Sequence, residues 1–539
     1  GDTERGKVMA EPTTWIKQAV GRIATSTVMR CLYISLLVTA CVPQVACTQP
    51  GPESPTALEW AQRMETGLVT AIEKAERSVV AIARVRRKKG VGRNVTGPQD
   101  PLRQLPPVGE PTDLRFDRPT PTSPEFVPNQ YCTGVVISRQ GLIVTTYHTL
   151  GDPEKNDYYV WVRRKPYKVM GVERAEKIMA GDPWTDLAVL KIKADDLTPI
   201  PLGDAKQLKK GMIVVGLGNP YAIARDGEVS ASWGIVANLR RQAAPRPKLL
   251  SDQPERETLH HFGTLIQTDA RLNLGTSGGA LINLRGEMVG LLTSQAPLYG
   301  YEKAAGYAIP VDAMFRQTLE TLKAGKKVQV GFLGVAPEDL SLEWRQRGRL
   351  GTRVEHVVPG TPAKQAGLQV GDIITHVNRQ QVENRMELFR ELGQLRVQSE
   401  VLLRVQRGAT LQQAGRTIAL KAVLSKKYVE SYRPAYSQQA DPKWRGLQVD
   451  YATALPPAMF RQHGHKMDPA GCVAIVSVEP GSASWNAGLR PGEFIKQVGR
   501  KKIATPERFL ELVSKQDGPV QVTLTVGEGE EGMRQVAAP

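Results

Sequence analysis

Three side chains in this sequence have the types and settings needed for acyl transfer. Ser277 lies in Gly275-Thr276-Ser277-Gly278-Gly279, between a polar loop and the apolar run Ala280-Leu281-Ile282. Glycines on both sides let the backbone take sharp turns and leave room for a substrate chain. The amides of Gly275 and Ser277 are then candidates to point together at a developing oxyanion. A serine nucleophile needs a base, and the base needs a group to orient it. His148 follows the apolar run Gly141–Tyr147, at a strand end where a side chain can face a cleft. Asp186 immediately precedes Leu187–Ile192, another apolar strand. Each of these has an ordinary structural explanation when taken singly. Together they stand in the order His, Asp, Ser, which is the order of the chymotrypsin-like arrangement.

The elements that must hold them are short strands. Thr133–Ser138 pairs back on Gly141–Tyr147 through Arg139-Gln140-Gly141, and Glu287–Thr293 returns from the serine through a turn at Asn283–Gly286. From Tyr131 to Pro310 turn signals alternate with brief apolar runs, an all-β pattern. Two stretches interrupt it. Residues 90–129 are rich in Pro, Gly and polar residues with no period, and 240–261 are polar and proline-bearing. The first, forty residues long, is not expected to be packed core. Upstream, Thr56-x-x-Glu59 reads as a capping box, and Leu58, Ala61, Met64, Leu68 and Ile72 form one helical stripe. That stripe is expected to pack on the strand domain or on a neighbouring subunit. Val311–Lys323 reads as a linker helix.

Downstream an internal repeat appears. Pro359-Gly360-Thr361-Pro362 through Gly371-Asp372 recurs as Pro480-Gly481-Ser482-Ala483 through Gly492-Glu493. Thr361 and Ser482 are expected to cap a short helix, with Pro362 suited to its first position. Gly367 and Gly488 would end it in the left-handed conformation, with Leu368 and Leu489 covering the end.

These pieces resemble the HtrA (Do-like, or Deg) family of trypsin-like serine proteases with C-terminal PDZ domains. The matching stretches are GLIVTTYHTL, DPWTDLAVLKI, GLGNPYAIARDGEVSASWGIVANL and IQTDARLNLGTSGGALINLRGEMVG, followed by the repeat. The resemblance implies a mainly β chain: a chymotrypsin-like double β-barrel protease domain followed by two α+β PDZ domains. It implies His148 as general base, Asp186 as its orienting group, Ser277 as nucleophile, and Gly275 and Ser277 as the oxyanion hole. Phe332, Leu333, Gly334 and Val335 in the first module, and Gly446 and Leu447 in the second, correspond to the loops that hold a peptide C-terminus while the peptide adds to the sheet edge. Met386–Leu392 and Pro506–Val513 would line the grooves. Two departures stand out: Thr276 replaces the family's usual Asn, and Tyr147 is bulkier than its usual neighbour of the histidine. No acidic residue lies six places before Ser277, where Arg271 stands, so a small or medium apolar side chain is the expected preference.

The implied layout is a leader at 1–47, a linker and helix at 48–77, the protease at 78–323, and PDZ domains at 328–427 and 440–539. In the leader, Cys31–Val38 is an apolar core of signal-peptide length. Val38-Thr39-Ala40-Cys41 resembles a lipobox, which would place a lipid anchor on Cys41, while Val45-Ala46-Cys47 offers an ordinary cleavage site. Export to the periplasm or cell envelope is therefore expected. Outside the leader only Cys132 and Cys472 remain, in different domains, so no structural disulfide is expected. The pairs His260-His261 and His463/His465 show no metal-ligand spacing and read as exposed loop; acyl-enzyme chemistry needs no metal or other cofactor. Net charge is +17, but aromatic content is only 6%, which argues against a nucleic-acid stacking surface. The expected partners are unfolded protein or peptide substrates and further copies of the chain in a trimer-based homo-oligomer. The competing function is a catalytically inactive PDZ-bearing chaperone or scaffold, in which Tyr147 or the long loops distort the site.

Overall fold

The computed structural model describes residues 56–86, 130–153, 155–163, 165–169, 178–219, 228–242, 258–273, 275–293, 305–430, 435–527 and 530–538. The leader with Cys41, the insertion at 90–129 and most of the insertion at 240–261 lie outside these residues.

Two β-layers form the part of the chain before the repeat. The first is an eight-stranded sheet whose middle runs Ile178–Asp182, Leu187–Lys191, Leu142–Thr146, Gln130–Val136, Val79–Arg86 and Asn156–Val162. The second is a closed barrel of Leu265–Thr268, Gly306–Pro310, Met288–Thr293, Ala280–Ile282, Ile213–Gly218 and Ser230–Arg241. Their strands are apolar on both faces because each face meets a different core. In Ile213–Gly218, Val215 and Leu217 face the core shared with the first sheet, while Val214 points into the barrel. Ala280 and Ile282 join the shared core and Leu281 the barrel interior. A period of two thus places the serine strand between two apolar layers.

The helix Ala57–Glu76 lays only its second half on this body. Ala71 and Ala75 are fully buried and let the backbone approach closely, whereas Leu58, Trp60 and Met64 stay exposed. The helix Ala313–Lys323 is more than a linker. Asp312 caps it by accepting from Phe315 N, and Phe315, Leu319 and Leu322 are buried in the shared core.

The repeat folds into two similar six-stranded sheets, each with a groove helix, Arg385–Gly393 in the first and Pro506–Val513 in the second. Strands Val335–Asp339 and Leu447–Tyr451 lie at the sheet edges. Gly367, Gly371, Gly488 and Gly492 take the positive φ the repeat requires, and Leu368 and Leu489 are buried beneath them. Ser482 accepts from Trp485 N and caps its helix as expected. Thr361 does not: its hydroxyl donates to Val358 O at 2.6 Å, so the turn preceding the helix takes the group that would have capped it. Between the two sheets, Tyr436–Ser437 pairs antiparallel with Gly181 and Ala180 of the first sheet, adding an eighth strand to it.

Candidate active site

Strand Leu142–Thr146 ends in a single helical turn, Tyr147–Leu150, that carries His148. Strands Ile178–Asp182 and Leu187–Lys191 are joined by a tight connection that carries Asp186. Asp186 is buried and sits at φ 56°, in the left-handed region. From there it grips His148 twice: the His148 amide donates to Oδ1 at 2.9 Å, and the ring Nδ1 meets Oδ2 at 2.8 Å. A carboxylate only accepts, so this contact puts the proton on Nδ1 and leaves Nε2 as the basic nitrogen. The Tyr147 amide also donates to the Asp186 carbonyl at 2.9 Å, so the two turns are bound through main chain and side chain alike.

Ser277 is buried in the loop entering strand Ala280–Ile282. Its carbonyl accepts from Thr133 N at 2.9 Å, and the Gly275 carbonyl accepts from the Thr133 hydroxyl at 2.7 Å. Thr133 in turn is held by Thr145, whose hydroxyl donates to Thr133 O at 2.7 Å three residues before His148. Thr293, on the strand after the serine, donates to Asp186 Oδ2 at 3.4 Å. Hydrogen bonds therefore cross from barrel to sheet at Ser277 and again at Asp186, and all three predicted residues converge on one seam. Sequence reading missed Thr133. A threonine mid-strand carries no local signal of such a role.

The glycines around the serine are sterically required. A Cβ on Gly278, at φ 86°, would stand 2.0 Å from Thr133 O, and one on Gly275, at φ 98°, 2.6 Å from Asn219 O. Thr276 turns its hydroxyl inward to the Asn273 carbonyl at 2.7 Å. The Tyr147 ring packs into the core of the first sheet, against Gly181, where a Cβ would meet it at 2.7 Å.

Behind Asp186 lies a polar cluster that the sequence did not suggest. His260 is buried, its Nε2 against Thr185 O at 3.0 Å and its Nδ1 against Thr264 Oγ1 at 2.8 Å. The expectation of an exposed loop at His260 is thus corrected; burial also pushes its pKa below the usual imidazole value. Asp182 is buried as well, and burial raises its carboxyl to about 6.

In the first C-terminal module Leu333 is core, while Gly334 turns at φ 92° with a Cβ position 2.2 Å from Thr361 Oγ1. Phe332 pairs with Ser425, and Val335 opens the edge strand. In the second, Arg445 and Gly446 form a two-residue turn closed by Trp444 and Leu447, each amide donating to the other's carbonyl at 2.8 Å. The Leu447 side chain is core. Its amide is thus engaged within the turn. Among the described residues, no group of three or more His, Cys, Asp or Glu is placed to hold a metal ion.

Comparison with known proteins bears on this geometry directly. A trypsin-like peptidase domain matches residues 132–291, and PDZ domains match 331–416 and 475–527. A probable periplasmic serine endoprotease DegP-like of Chlamydia trachomatis serovar D is 29% identical over 404 residues, covering 74% of this chain and 72% of that protein. A protein of the same name from Marinomonas sp. strain MWYL1 is 30% identical over 384 residues, 70% of this chain and 73% of its own. The chain belongs to the HtrA family of DegP-like serine endoproteases. A solved structure, HtrA-type protease AlgW with decapeptide, aligns at 22% identity over 67% of this chain and 98% of that one, with a TM-score of 0.45. This HtrA protease is a serine endopeptidase of trypsin-like fold bearing two PDZ domains. The seam that gathers His148, Asp186 and Ser277 falls within its peptidase domain.

Proposed function

We propose that this HtrA protease hydrolyses unfolded or misfolded proteins through His148, Asp186 and Ser277. The observation that carries the reading is the two-point grip of Asp186 on His148, which fixes the imidazole with Nε2 as base. His148 takes the Ser277 proton as the hydroxyl attacks the peptide carbonyl. Asp186 stabilises the imidazolium, and the same ring then protonates the leaving amine. The amides of Gly275 and Ser277 receive the oxyanion; each donor of this kind contributes roughly 10²–10³-fold to turnover. Water then releases the acyl group with no cofactor.

The protease spans 78–323 and the PDZ domains 328–427 and 440–539 in this reading, and the PDZ edge strands receive peptide segments or C-termini. The first domain, through Phe332, Leu333, Gly334 and Val335, is the principal site; Gly446 and Leu447 of the second leave fewer amides for a carboxylate. The relatives' name and the apolar leader support export to the periplasm and a role in envelope protein quality control, with a lipid on Cys41 as the anchor. The family resemblance supports a homo-oligomer built from trimers, and the exposed Leu58, Trp60 and Met64 offer apolar surface for contact between copies; light scattering of the purified chain tests this.

The decisive assay is digestion of unfolded casein by the wild type beside Ser277→Ala. Cleavage by the wild type and none by the variant is expected. If neither cuts, with or without peptides ending in apolar residues, the chaperone reading takes its place.

A further inference from the structure

Asp186 makes both His148 contacts from a left-handed backbone, a conformation that costs a non-glycine residue free energy and persists where the surroundings hold it. The connection from Asp182 to Asp186 shows what fixes it. Thr185 N and Thr185 Oγ1 both donate to Asp182 Oδ2, at 2.9 and 2.6 Å. The carbonyls that follow are each taken: Trp184 O by Leu259 N at 2.9 Å, Thr185 O by His260 Nε2 at 3.0 Å, and Asp186 O by Tyr147 N at 2.9 Å. Asp182 is only 2% exposed, and its partners lie inside the turn. Burying a second carboxylate four residues from the first is costly unless hydrogen bonds offset it, and Thr185 supplies two. We propose that Asp182 is a positioning residue for peptide hydrolysis: through Thr185 it holds Asp186 in the conformation from which both carboxylate oxygens face His148. It touches no substrate and transfers no proton.

The proposal rests on the triad reading and is tested apart from it. Steady-state cleavage of a short chromogenic peptide by the full chain is measured for Asp182→Ala, Asp182→Asn, Thr185→Val, Thr185→Ser and Asp186→Ala. A misplacement of the orienting group of about 1 Å corresponds to roughly 10²-fold in rate. Asp182→Ala is therefore expected to lose roughly that much kcat with KM unchanged. Asp182→Asn keeps an acceptor oxygen for Thr185 and restores most of the rate. Thr185→Val, a milder change, lowers kcat, and Thr185→Ser restores it; this pair decides the matter if Asp182→Ala does not fold. Wild-type kcat in Asp182→Ala or Thr185→Val overturns the proposal, as does a loss carried by KM or an Asp182→Asn variant as impaired as Asp182→Ala. Activity retained in Asp186→Ala would instead overturn the triad.

Discussion

Asp182 and Asp186 are both buried, four residues apart. Asp182 has only the neutral donors of its own turn, and burial raises its carboxyl to about 6. The unfolded chain loses this proton near the ordinary carboxylate value. Between about pH 4 and pH 6 the native state therefore binds more protons, and stability from this group falls as pH rises through that window. The penalty above pH 6 is on the order of 3 kcal/mol. In urea unfolding the Asp182→Asn variant should lack this downward slope and gain on the wild type as pH rises from 4 to 7; parallel profiles would contradict the assignment. Ser277, His148 and Asp186 were legible in the sequence because each lies in a glycine turn or at a strand end with a local signature. Thr133 and His260 were not, since partners 142 and 75 residues away are brought near only by the fold; Asp182 bonds within its own turn, but nothing local says that the turn is buried.

Elements show the same division. The repeated helix turns, the positive φ of Gly367 and Gly488 and both groove helices follow from local chemistry, and the structure has them where the pattern placed them. Helix Ala313–Lys323 was visible as a helix but not as core, because a stripe of Phe315, Leu319 and Leu322 does not say what it meets. The two-residue strand Tyr436–Ser437 has no sequence signal at all; it exists because strand Ile178–Asp182 offers it an edge. Edge strands are also what a peptide needs. In the first PDZ domain Gly334 makes the loop beside that edge, pressed against Thr361 with no room for a Cβ. Gly334→Ala is expected to lower affinity for a peptide ending in an apolar residue at least tenfold by calorimetry, roughly the 1.4 kcal/mol that such a factor represents. Cleavage of a short peptide by the same variant reports separately on the protease site. Undiminished binding would place the carboxylate elsewhere.

At the scale of the molecule, the first PDZ domain is fastened to the protease at the connection that carries Asp186. Trp184, two residues before it, donates from its indole to Gly393 O at 3.0 Å at the end of the first groove helix. Phe262 lies between Trp184 and Phe389 with its ring tilted to both, at 6.0 and 5.4 Å between ring centroids. The two PDZ domains are joined by Lys426–Asp450 at 2.6 Å and by the Ser425–Thr453 hydroxyl pair. The chemistry therefore has to be asked of the whole chain. A serine-directed phosphonate reacts only where a base activates the hydroxyl and an oxyanion site receives the adduct. Intact wild-type protein should take up one phosphonyl group, mapped by mass spectrometry to Ser277, and His148→Ala should take up none at matched exposure. Labelling elsewhere, or equal labelling of wild type and His148→Ala, would contradict the assignment of His148, Asp186 and Ser277 as the catalytic residues.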